Sequence, residues 1–267
     1  MPFSDSVSRL KRLSRRALLV HALGAAALIT NGCAGFAWPD AFEASELLTR
    51  HFVLAARVKL QAPGSPVRIY IEGDDHAFNA HGRPSSDPTP HDTTLLDIAF
   101  ADPHPNVVYL ARPCQFVRDA RCTRKDWSTG RFSKEAVDSV AEAVETLAAG
   151  APVTRIGYSG GAQIAGLAAV THPELKVLKI ITIAGNLDHP AWCREKRLPP
   201  LTDSMDLTQY WERFMQIPQI HFVGEKDEVV PPELTQARVA GRAPVVVVRG
   251  ATHGKGWEKA AERIYRE

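Results

Sequence analysis

The sequence holds little that would commit it to a metal, a phosphate group or a nucleic acid. Its four cysteines, Cys33, Cys114, Cys122 and Cys193, make no two pairs at zinc-ligand spacing, alone or with histidine. No Gly-x-Gly-x-x-Gly run and no glycine loop ending in Lys-Ser or Lys-Thr occurs, so the common nucleotide-phosphate signatures are missing. Beyond about Ala37 there is neither an internal repeat nor a low-complexity linker, and residues 40–267 read as one domain. A basic excess is lacking too, once the N-terminal end is set aside. The chain carries +2. Residues 1–32 hold five basic residues and one acidic residue, so the remainder is near −2 and offers no footprint for a nucleic acid.

What is present begins with that end. Arg9, Lys11, Arg12, Arg15 and Arg16 precede an apolar run from Ala17 to Ile29, broken only by His21 and Gly24. The run is shorter than the ~20 residues of a spanning helix, and the order reads as an export signal over residues 1–32. Ser14-Arg15-Arg16-Ala17-Leu18-Leu19 resembles a twin-arginine signal. Thr30-Asn31-Gly32-Cys33 resembles a bacterial lipobox, with Thr30 where an aliphatic residue is usual. Two outcomes stay open: Cys33 lipidated and attached to a membrane, or plain cleavage after the leader. Either places the chain in the cell envelope. In that oxidising setting the close pair Cys114 and Cys122 is the natural disulfide; without export both are free thiols. Cys193 has no evident partner.

Hydrophobic residues make up 45% of the chain and charged residues 23%, enough for an ordinary core. Short β-branched runs alternate with helical stretches, which predicts a mostly parallel sheet with helices on both faces. The expected strands are Phe52–Leu60, Val67–Glu72, Val107–Leu110, Val153–Tyr158, Val177–Ile183, Ile217–Val223 and Pro244–Val248. The first two are expected to form a hairpin across the turn cluster Ala62-Pro63-Gly64-Ser65-Pro66. Val137, Val140, Val144 and Leu147 recur at helical spacing over Lys134–Ala149, with Ser133 to cap the start and Gly150 to end it. Further helices are expected after Ser159 and over Trp257–Arg266. Asp74–Pro105 reads mainly as loop, with one helical turn near Thr94–Phe100. Leu187–Arg213, with Trp192, Tyr210 and Trp211, reads as a short cap.

Gly157-Tyr158-Ser159-Gly160-Gly161 sits between a predicted strand and a predicted helix. A serine alcohol is a poor nucleophile and must be presented to a base in one fixed pose. A sharp strand-to-helix turn does this, provided the residues two before and two after carry no side chain that collides. Gly157 and Gly161 meet that need. The bland reading, a glycine turn where a helix passes a strand, competes until two later segments are considered. Asp227 follows the Ile217–Val223 run, and His253 follows Val245–Val248, each just past a strand end where open sheets keep their functional groups.

Gly-Tyr-Ser-Gly-Gly, Gly-Glu-Lys-Asp-Glu-Val-Val-Pro and Ala-Thr-His-Gly, in this order, resemble the elements of the serine α/β-hydrolases over roughly Phe52 to the C-terminus. Within that family the chain is similar to exported bacterial hydrolases of unassigned substrate. The resemblance implies the α/β-hydrolase fold with Ser159 as nucleophile, His253 as base and Asp227 orienting it. It also implies an oxyanion hole from the Gly160 N–H and from the loop Glu72-Gly73-Asp74, where we assign Asp74. Glu72 stands where this loop often has histidine. The implied substrate is a small-molecule carboxylic ester, with amide or thioester as alternatives, and neither metal, organic cofactor nor protein partner is called for. A non-catalytic envelope protein that kept the fold for binding is the competing class, because fold alone never proves function.

Competing side chains have places of their own. Asp188 also follows a strand, and it is expected to shape the pocket or cap a turn. His76, His81, His91 and His104 read as surface residues, His221 as a core histidine and His189 as part of the cap. Arg112 and Trp127 flank the cysteine pair and are placed toward the site by position alone.

Overall fold

Runs of Val, Ile and Tyr favour extended chain because their branched or flat side chains pack on a pleated surface, and seven such runs, with one more polar edge strand, form one sheet. The computed structural model describes residues 39–79, 81–117 and 119–267. The expected leader and Cys33 lie outside the described residues. The strands are β1 (Glu43–Leu48), β2 (Val53–Leu60), β3 (Val67–Ile71), β4 (Asn106–Leu110), β5 (Val153–Tyr158), β6 (Val177–Ile183), β7 (Gln219–Gly224) and β8 (Val245–Val248). Their order is β1-β2-β4-β3-β5-β6-β7-β8. The β1–β2 and β2–β4 pairs are antiparallel and all others parallel.

The expected hairpin between β2 and β3 does not form. β2 pairs instead with β1 and β4, and β3 lies between β4 and β5. The reason is burial. Every residue of β3 is buried, which suits a strand with a neighbour on each side and a layer on each face. The real hairpin is β1–β2, turned where the Thr49 and Phe52 main chains meet.

Helix α1 (Thr94–Ala101) is longer than the single turn expected there. It lies on one sheet face with α7 (Glu258–Arg266), over Tyr70, Tyr109, Ile156, Ile183 and Phe222. Helices α2 (Lys134–Ala148), α3 (Gly161–Thr171) and α6 (Pro232–Val239) cover the other face, over Leu54, Ile69, Val108 and Ile180. The two faces take alternate residues of β3 and β4, as the period-two rule requires. The α2 boundaries follow the local chemistry. The Ser133 side chain accepts the Ala136 N–H, and Ala149 and Gly150 leave the helix at positive φ, 48° and 84°.

The cap lies on this second face, with α4 (His189–Glu195), a 3₁₀ turn at Leu207–Tyr210 and α5 (Trp211–Phe214). It meets α3 closely: a Cβ on Gly166 would come within 2.7 Å of Leu207. Cys114 and Cys122 are bonded, with Cα atoms 5.8 Å apart, and Cys193 is a buried free thiol. A loop this short is stabilised by ~2.5 kcal/mol in the chain-entropy account. No described helix is long and apolar enough to cross a membrane.

Candidate active site

β5 ends at Tyr158 and α3 starts at Gly161, so Ser159 and Gly160 must turn the chain within two residues. Ser159 takes φ of 50°, a left-handed value that a side chain resists. Hydrogen bonds hold it there: its N–H donates to Ile183 O at 3.0 Å, and its carbonyl accepts from Ala162 and Asn186. The tightness leaves no room beside it. A Cβ on Gly157 would lie 2.6 Å from Ala162 Cα, and one on Gly161 would run into the Ile71 and Glu72 carbonyls at the end of the adjacent strand β3.

Ser159 Oγ lies 3.0 Å from His253 Nε2. On the far side of the ring, Nδ1 lies 2.9 and 3.1 Å from the two Asp227 oxygens. A carboxylate only accepts, so the ring proton belongs on Nδ1 and the Nε2 lone pair faces the serine hydroxyl. Asp227 is buried, and its Oδ1 also takes the N–H groups of Val229 and Val230, both at 2.9 Å. That loop is tied to the cap, since Trp192 Nε1 donates to Val229 O at 2.7 Å and the Lys196 ammonium donates to Glu228 O. The His253 carbonyl accepts from Tyr158 Oη at 2.9 Å and Trp257 Nε1 at 2.8 Å, which fixes the histidine loop on the sheet end.

The loop after β3 passes beside the nucleophile: a Cβ on Gly73 would stand 3.0 Å from Ser159 Cβ. Among the described residues, neither the Gly160 N–H nor the Asp74 N–H donates a hydrogen bond. Gly160 directly follows the nucleophile, and Asp74 follows the Gly73 that stands beside it. The Asp74 carboxylate lies against Gly160 and is held by Arg112 Nη1 and Arg131 Nη1, 3.0 Å each. Burial would push its carboxyl up, but the two guanidiniums outweigh that and hold it below the ordinary range. Gln115 steadies the same loop, donating from Nε2 to Gly73 O at 3.0 Å.

Glu72 fills the place of the histidine common in this loop. It is buried, and its oxygens take the Gly73 N–H and the Tyr109 hydroxyl, 2.7 Å each. Loss of solvent raises its carboxyl from 4.5 to about 7, the two hydrogen bonds offsetting only part of the cost. A folded-state value above the unfolded one means stability present below about pH 4.5 and lost as pH rises through about 7. Glu72→Gln is therefore expected to gain stability on the native protein between pH 5 and pH 8, by up to about 3 kcal/mol. Denaturant unfolding of both proteins at the two pH values measures it. Parallel pH dependence in the two would refute this assignment.

The competing side chains stand elsewhere in the fold. Asp188 caps α4, accepting from Ala191 N at 2.8 Å, and pairs with Arg238. His221 is wholly buried between Thr182 and Gln219, and burial lowers it to about 4. His189 lies in the cap against Met205 O. His76 and His91 stack on each other in the loop before α1, with ring centroids 3.9 Å apart. Trp127 is buried, its Nε1 donating to Ser85 O. Nothing in the sequence marks Arg131, Gln115 or Tyr109 as site residues. Arg131 sits in Gly130-Arg131-Phe132-Ser133 with no motif around it, and only folding reveals its partner. Among the described residues, no three His, Cys, Asp or Glu side chains gather as metal ligands would.

Residues 115–242 match the family model described as serine hydrolase (FSH1). The match spans Ser159 and Asp227 and stops short of His253. Solved structures resemble the chain at low identity. An alpha-beta serine hydrolase homologue from Coxiella burnetii is 20% identical, covering 87% of this chain and 97% of that one, with a TM-score of 0.52. Est1E from Butyrivibrio proteoclasticus is 14% identical over 84% and 96% of the two chains, with a TM-score of 0.59. An esterase from Pyrococcus furiosus is 14% identical over 84% and 89%, with a TM-score of 0.58. These likenesses establish the α/β-hydrolase fold. Among curated proteins no sequence match is found.

Proposed function

We propose that this chain, which has the α/β-hydrolase fold and matches the serine hydrolase family model over residues 115–242, is a serine hydrolase that cleaves a carboxylic ester through an acyl-enzyme on Ser159. The observation that carries the reading is the unbroken line Ser159 Oγ to His253 Nε2 to Asp227, with links of 3.0 and 2.9 Å. Ser159 Oγ attacks the carbonyl carbon as its proton passes to Nε2. The imidazolium so formed is stabilised by the buried Asp227 carboxylate, which keeps its own charge. The carbonyl oxygen, now negative, takes the idle N–H groups of Gly160 and Asp74. His253 returns the proton to the departing alcohol, and water repeats the sequence on the acyl-enzyme.

An ester is favoured because its alkoxide leaves more readily than an amide nitrogen and asks least of the acid. The name of the Pyrococcus furiosus neighbour agrees with that choice. The leader-like N-terminus and the Cys114–Cys122 bond support residence in the cell envelope.

A fluorophosphonate probe tests the nucleophile. Native protein is expected to take up one equivalent at Ser159, located by peptide mass spectrometry, and to hydrolyse p-nitrophenyl acetate or butyrate. Ser159→Ala is expected to do neither. Equal labelling of both proteins would overturn the proposal.

A further inference from the structure

The oxyanion N–H assigned to Asp74 belongs to a residue whose own carboxylate lies against Gly160. A Cβ on Gly160 would overlap both Asp74 oxygens. Left alone, such a carboxylate would be repelled by the charge that develops next to it and would swing toward water, taking its backbone with it. Two cations prevent this. Arg112 reaches in from the segment after β4 and Arg131 from the segment before α2, one guanidinium on each carboxylate oxygen at 3.0 Å.

Both arginine side chains are only 5% exposed, and they are braced in turn. Arg112 Nη2 donates to the Arg131 carbonyl, and Arg131 Nε donates to Ser128 O at 2.8 Å. Phe132 lies under one guanidinium and Phe78 under the other, with centroids 5.3 and 5.0 Å away. Two guanidiniums on one carboxylate leave the cluster with net positive charge beside the oxyanion position.

We infer that Arg112 and Arg131 are positioning residues for the reaction: by clamping the Asp74 carboxylate they aim its N–H at the oxyanion and cancel its charge. This rests on the serine-hydrolase reading above. The clamp acts on the transition state. A ground-state ester oxygen carries little charge, so a loosened donor reduces turnover far more than substrate binding.

The test uses the full chain with Arg112→Met, Arg131→Met, Arg112→Lys, Arg131→Lys and Asp74→Ala, assayed on p-nitrophenyl butyrate. Each Met variant is expected to lose roughly 10- to 100-fold in kcat, below the 10²–10³ of deleting a donor outright, with KM within about threefold. The Lys variants, which keep the charge, are expected to recover most of the loss. Binding of a trifluoromethyl ketone, which makes a charged tetrahedral adduct, should weaken by the same factor as kcat/KM falls. In the Asp74→Ala background, replacing either arginine should cost less than about threefold more, because the clamp has nothing left to hold.

Unchanged kcat in folded arginine variants would overturn the inference, as would losses that multiply undiminished with Asp74→Ala. If the Met variants do not fold, the Lys variants and the Asp74→Ala cycle built on them decide by the same criteria. Fluorophosphonate uptake by the native protein separates the two levels. Without it the serine-hydrolase reading falls and this inference with it; with it, failure of the arginine variants removes only the clamp.

Discussion

Ser159→Ala is expected to lower kcat on a p-nitrophenyl ester by at least ~10⁴-fold, His253→Ala by a similar factor, and Asp227→Asn by about 10⁴. The reasons differ. Alanine at 159 leaves no atom to form the acyl bond. At 253 it leaves the hydroxyl without an acceptor for its proton, because the imidazole nitrogen 3.0 Å away is gone. Asparagine at 227 can turn its NH₂ toward Nδ1, which moves the ring proton to Nε2 and closes the lone pair that the serine needs. Because the three act as a unit, Ser159→Ala combined with His253→Ala should lose no more than either alone. Steady-state kinetics with each variant checked for folding by circular dichroism decide the matter. A folded His253→Ala that keeps a tenth of the native kcat would remove the imidazole from the mechanism.

Gly161→Ala is expected to be the most damaging single methyl group in the described chain. The new carbon would run into the Ile71 carbonyl and stand 2.6 Å from the Glu72 carbonyl. Neither is the free end of a side chain. Both are backbone of β3 or its exit, held between β4 and β5, so relief requires moving α3 away from the sheet. Overpacking of this kind costs up to about 3 kcal/mol and occasionally more, equivalent to ~10 °C in Tm for a chain of this size. Gly64→Ala is the comparison. Gly64 has φ of 79° but open space around it, so only the backbone preference is lost, about 1 kcal/mol. Thermal melts that rank the two variants the other way would refute the steric argument.

The elements that could be read from the sequence were those whose cause is local. Ser133 and the Val137-Val140-Val144 stripe define α2 by capping and period alone. The Gly157–Gly161 turn carries its own steric requirement, and Asp227 and His253 each follow a β-branched run. The β2–β3 hairpin fails because strand order is a property of the finished sheet: the turn at 62–66 looks the same whether the next strand lies adjacent or one place further on. β1 carries no such signal, because Glu43–Leu48 is a half-exposed edge strand with no apolar alternation to announce it. Arg131 is invisible for a third reason. Its significance lies in meeting Asp74 across 57 positions, and a single sequence holds no trace of such a meeting.

The hydrogen bonds from Trp192 and Lys196 to the carbonyls of Val229 and Glu228 give the cap a second task. Val229 also presents an N–H to Asp227, so α4 and the carboxylate that holds the His253 ring share one peptide loop. Helix α4 and the Ser159–His253–Asp227 line are thereby mechanically joined in this molecule. A change in α4 that breaks these two anchors is expected to be felt as a tilt of the ring at 253, so substitutions in this helix have to spare both bonds or replace them in kind.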